Sequence, residues 1–72
     1  MTIKELKKRV RFRHSGGYCQ YIITIEYRGK EYSCQSNNAP AYDWYNDDSN
    51  PRKQSKALRE AWNECKRKNN LQ

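Results

Sequence analysis

Arg9, Arg11 and Arg13 alternate with Val10 and Phe12. That period predicts a β-strand with all three guanidinium groups on one face, about 7 Å apart. This is close to the spacing of phosphates along a nucleic-acid strand. A sheet of two or three strands can enter a major groove, and Arg can pair bidentately with guanine. The competing reading is a solvated face whose charges keep sheet edges from aggregating. A second basic set comprises Arg52, Lys53, Lys56, Arg59, Lys66, Arg67 and Lys68. Helical spacing puts Lys56, Arg59, Asn63 and Lys66 on the side away from Leu58 and Trp62, where a phosphate backbone could lie. The competing reading is an ordinary exposed face with a basic last turn that suits the helix dipole. Arg52 and Lys53 oppose that dipole near the helix start, which favours a role other than stability.

Other reactive side chains give less. One zinc ion needs its ligands within about 2.3 Å of itself. The inferred hairpins place His14 beside Cys19 but Cys34 beside Ile23, about 13 Å along the strand from Cys19. That distance excludes a shared metal and a Cys19–Cys34 disulfide, so free thiols are expected. Asp43, Asp47 and Asp48 lack the glycine turn and bidentate Glu of a calcium loop. There is no paired nucleophile and base and no phosphate-binding loop, so neither catalysis, a cofactor nor a small-molecule substrate is expected. Tyr42, Trp44 and Tyr45, with Asp47 and Asp48, form an aromatic and acidic segment suited to a protein interface.

The chain has 72 residues and a formal net charge of +7, with 35% hydrophobic residues. That predicts a single small domain over residues 1–72, too small for a two-lobed catalytic cleft. Residues 1–14 carry +5, residues 37–50 carry −3 and residues 51–72 carry +5. Two basic ends flanking an acidic middle point to a polyanionic partner, nucleic acid first. No apolar run approaches a membrane span, and no segment joins basic residues to a wide apolar helical face. The opening residues lack an apolar signal region, and three cysteines fit no disulfide framework. A cytoplasmic location is the expectation.

The elements that must position these groups follow from periodicity. Residues 2–8 could form a helical turn or extend the first strand. Val10 to His14, Tyr18 to Tyr27 and Glu31 to Ser36 read as strands, with two-residue turns at Gly16-Gly17 and Arg28-Gly29. The first turn places Phe12 opposite Tyr21 and Val10 opposite Ile23. The second places Ile25 opposite Tyr32 and Ile23 opposite Cys34. Both put Val10, Phe12, Cys19, Tyr21, Ile23, Ile25, Tyr32 and Cys34 on one face. Arg9, Arg11, Arg13, Gln20, Ile22, Thr24, Glu26, Glu31, Ser33 and Gln35 fall on the other. Asn38 with Pro40 and Asn50 with Pro51 are helix-start signals. Leu58, Ala61, Trp62 and Cys65 mark the buried stripe of a last helix ended by Asn69-Asn70. The expected class is α+β: a three-stranded antiparallel meander, a short intervening helix, and a C-terminal helix on one sheet face.

Thr24-Ile25-Glu26-Tyr27-Arg28-Gly29-Lys30-Glu31-Tyr32-Ser33, with Asn37-Asn38, and the segment Ala57 to Leu71 resemble small uncharacterised proteins of Bacteroides-type gut bacteria and their phages. This resemblance implies an origin and no activity. If residues 2–8 are helical, the element order is similar to that of double-stranded-RNA-binding domains, and Arg52-Lys53 and Lys56 are similar to the basic cluster opening their last helix. Arg59 and Glu60 depart from that pattern, as does the acidic 37–50 insert. Topology is also similar to sheet-face DNA readers of the integrase N-terminal and plant kinds. The function expected is nucleic-acid binding (DNA or RNA) through the Arg face and the basic helix, with low sequence specificity. The alternative is a phage or mobile-element protein that binds a host protein as inhibitor or adaptor through Tyr42, Trp44, Tyr45, Asp47 and Asp48.

Overall fold

Thr2 decides how the chain begins. Its Oγ1 accepts from the Glu5 backbone N–H at 3.2 Å and donates to the Glu5 carboxylate at 3.3 Å. This Thr-x-x-Glu cap starts a helix, α1 (Ile3–Arg9). Leu6 anchors it in the core, with Ile3 packed against the same cluster. The computed structural model describes residues 1–17 and 20–71. After α1 come β1 (Val10–His14), β2 (Tyr21–Tyr27), β3 (Lys30–Ser36), α2 (Ala39–Trp44) and α3 (Pro51–Lys68). The strands form one antiparallel sheet in the order β1-β2-β3. The α+β meander with its short helix and C-terminal helix is therefore as expected.

The second hairpin has the expected register: Ile25 faces Tyr32 and Ile23 faces Cys34. Arg28 and Gly29 take φ of +53° and +81°, the paired left-handed conformation of a two-residue turn whose twist suits the strands. The first hairpin differs. Val10 faces Ile25, Phe12 faces Ile23 and His14 faces Tyr21. Pairing is shifted by two residues because the connection is the six-residue segment 15–20, closed by Ser15 N–H to the Gln20 carbonyl at 3.1 Å. A shift of two keeps side-chain parity, so β1 still presents the same residues to each face. It also puts Val10 and Phe12 against Ile25 and Ile23, both fully buried. The expected start of β2 at Tyr18 and the expected core place of Cys19 lie outside the described residues.

The core lies between one sheet face and the helices. Leu6, Val10, Ile23, Ile25, Leu58, Ala61, Trp62 and Cys65 form one buried cluster. Burying a Leu, Ile or Val side chain contributes roughly 1.5–3 kcal/mol, which a chain this small needs from nearly every apolar residue it has. Both expected caps are present. Asn38 Oδ1 accepts from Ala41 N–H at 3.1 Å and Asn50 Oδ1 from Lys53 N–H at 3.2 Å. Polar ties fix α3 across the sheet: Lys68 Nζ donates to the Gln35 carbonyl at 2.6 Å and Asn69 Nδ2 to the Ser33 carbonyl at 3.1 Å. Ser36, buried, donates to Glu64 at 2.9 Å.

Candidate nucleic-acid interface

Gln54, Ala57, Leu58, Ala61, Trp62 and Cys65 are the buried side of α3. At 3.6 residues per turn, Arg52, Lys56, Arg59, Asn63 and Arg67 form the opposite ridge, running about 22 Å along the axis. All five are exposed. The ion pairs among the described residues are Lys7–Asp48, Arg11–Glu31 and Lys68–Glu64. Among the described residues, Arg52, Lys53, Lys56, Arg59, Lys66 and Arg67 therefore face no carboxylate partner within ion-pair distance.

Arg59 joins α3 to the start of the chain. Its Nε donates to Ser55 Oγ at 3.2 Å and its Nη2 to the Met1 carbonyl at 3.4 Å. This lays α1 alongside α3. Lys4 and Lys8, four apart and exposed, stand opposite Leu6 on α1. Lys66 is placed differently. It is half-buried, with its ammonium 5.0 Å from the Tyr27 ring centroid.

The sheet face is not the cationic plate that alternation implies. Arg9 is the last residue of α1 and belongs to no strand. The cap at Thr2 and the burial of Leu6 carry the helix through it, overriding the strand-like pattern. Arg11 and Arg13 do point to the open face, but Arg11 is paired with Glu31. Glu31 faces Glu26 across the β2–β3 ladder on the same face. Two arginines and two glutamates leave that face without net charge. Because α3 covers the other side of the sheet, its basic ridge and the open face point in opposite directions across a molecule about 15 Å thick. A single straight ligand contacts one or the other.

The acidic and aromatic segment is mostly engaged within the fold. The Tyr42 ring stacks on Tyr21 with centroids 4.3 Å apart, and Tyr45 lies 4.6 Å from Phe12. Burial, and then the neighbouring Tyr42, raise the Tyr45 phenol above its ordinary pKa. Asp47 Oδ1 accepts from Ser49 N–H at 2.9 Å. Asp48 accepts from Lys7 at 2.6 Å and from the buried Gln54 at 2.9 Å. Those two hydrogen bonds, then the Lys7 charge, hold its carboxyl below the usual range.

Trp44 is the exception. It borders a groove of about 350 Å³ between α2 and α3, with Asn38, Pro40, Ala41, Lys53, Lys56, Ala57 and Glu60. Lys53 Nζ sits 4.0 Å from the Trp44 ring centroid. Sequence spacing does not join these residues, because the turn at Asn50 folds the start of α3 back along α2. Nor does it join Cys65 to β3, where the thiol donates to the Tyr32 carbonyl at 3.4 Å. Among the described residues no group of three His, Cys, Asp or Glu is placed to hold a metal ion. No helix among them is long and apolar enough to cross a membrane. Comparison with protein-family models, curated proteins and solved structures finds no match.

Proposed function

We propose that the protein binds nucleic acid with low sequence specificity, and that the outward ridge of α3 is its principal contact. The observation that carries this reading is the row Arg52, Lys56, Arg59 and Arg67, exposed and without carboxylate partners among the described residues. A flexible Lys or Arg free of an ion pair can exchange condensed counterions for phosphate at little cost in protein contacts. Lys4 and Lys8 of α1 extend the contact. The charge-balanced sheet face, with Arg11 paired to Glu31, lies on the other side of the molecule and takes no part in this contact. The role is binding without catalysis, in the cytoplasm, where the buried Cys65 thiol stays reduced.

Fluorescence anisotropy with a labelled random-sequence duplex, repeated with single-stranded DNA and with RNA, tests the reading. The four ridge contacts alone predict that log K falls with log salt at a slope of about −3.6 on duplex DNA, and contacts from Lys4 and Lys8 would make it steeper. Competition among unrelated sequences of equal length should give similar affinities. No binding to any of the three probes at about 20 mM salt would contradict the proposal, as would affinity that does not change with salt.

A further inference from the structure

We propose that the groove between α2 and α3 seats one unpaired nucleobase, stacked on Trp44, with the adjoining phosphates held by Lys53 and Lys56. This rests on the nucleic-acid reading and adds a ligand class to it. The groove's volume of about 350 Å³ lies within the ~300–1,000 Å³ range of small-molecule sites. Its apolar lining consists of Ala41 and Ala57, both buried, with Pro40 and Trp44. An aromatic face beside two cations is the combination that holds single-stranded bases, because every base has a stacking face and a charged linker.

The Trp44 ring already carries a contact that the base must displace. The Lys53 ammonium rests 4.0 Å from the Trp44 ring centroid. It is exposed, and an exposed cation–π contact is weaker than base stacking. A base can take its place on the ring while Lys53 swings to the phosphate. Glu60 also lines the groove. One of its carboxylate oxygens accepts from Asn38 Nδ2 at 3.3 Å, leaving the other able to accept from an amine on the base edge. Lys56 and Arg59 follow on the same helix, so a strand leaving the groove meets the basic ridge. The acidic side of the segment, at Asp47 and Asp48, is occupied by Ser49, Lys7 and Gln54. Lys53 and Lys56 outnumber the single carboxylate of Glu60 in the groove lining, which favours an anionic occupant over a basic peptide.

Three hairpin duplexes of equal length test this: fully paired, with one bulged adenine, and with a bulged abasic sugar. The last two have the same number of phosphates, so a difference between them is due to the base. The adenine bulge should bind about tenfold tighter than the abasic one, the scale of one stacked base. Trp44→Leu should remove that difference while affinity for the paired duplex stays within about twofold, and Trp44→Tyr should keep most of it. Tryptophan emission should be partly quenched by the adenine bulge and not by the abasic one, the core Trp62 supplying a constant background. This second readout uses the unaltered protein and does not depend on a variant folding. Equal affinity for adenine and abasic bulges would overturn the groove assignment while leaving ridge binding intact. Failure to bind all three at about 20 mM salt would overturn both. Quenching by an acidic, aromatic-bearing peptide, with none by adenine, would also overturn it and would make the groove a protein site.

Discussion

The Lys7 ammonium meets the Asp48 carboxylate at 2.6 Å, tying α1 to the loop that precedes α3. Gln54 donates to the same oxygen from the buried side of α3 at 2.9 Å. Asp48 therefore links the first and last helices, although its own side chain is largely exposed.

Its carboxyl titrates below the usual range in the fold. A depressed pKa means that the unfolded chain binds the proton more readily, so stability rises with pH across the interval between the folded pKa and about 3.9. Asp48→Asn should melt at a lower temperature than the native chain at pH 7, and the gap should narrow as pH falls below about 4. Thermal melts followed by circular dichroism at pH 7 and pH 3 check this. A gap that is unchanged at pH 3 would show that the charge does not contribute.

The Arg28-Gly29 turn makes the opposite substitutions informative. A Cβ at Gly29 would meet nothing within 4 Å, so the cost of Gly29→Ala comes from the backbone alone at φ +81°. It should destabilise by about 1–2 kcal/mol in urea unfolding. Arg28 pays the same kind of cost at φ +53°, and Arg28→Asn should reduce it by a few tenths of a kcal/mol or more, because Asn tolerates that conformation.

Much of the fold could be read from sequence because parity and helical period are local. Leu58, Ala61, Trp62 and Cys65 marked α3, and both Asn-Pro signals marked helix starts. The first hairpin was misplaced because alternation is blind to a shift of two, and only the Ser15–Gln20 closure reveals the longer loop. Arg9 was misplaced because its neighbours alternate, while the Thr2 cap that decides the matter lies about two turns upstream. The ridge of α3 was visible. Its position opposite the Arg face depends on which sheet side the helix covers. The pairing of Trp44 with Lys53 depends on the angle between α2 and α3, which no spacing encodes.

The two described thiols should be slow to react. Burial, more than the neighbouring Cys34, pushes the Cys65 thiol up to about 12, and burial also raises Cys34. Only the thiolate reacts, so alkylation at pH 8 should leave Cys65 unmodified in the native protein and modify it fully in urea. Peptide mapping by mass spectrometry distinguishes the sites. Rapid native labelling of Cys65 would mean that α3 lifts from the sheet far more often than its packing implies.

The central claim is that α3, not the open sheet face, meets the nucleic acid. Two double charge reversals with matched net charge test it by anisotropy on one duplex: Arg52→Glu with Lys56→Glu, and Arg11→Glu with Arg13→Glu. The helix pair should lower affinity by about tenfold or more and flatten the salt slope by about 2, while the sheet pair should change affinity by no more than about threefold. Loss confined to the sheet pair, or equal loss from both, would contradict the account.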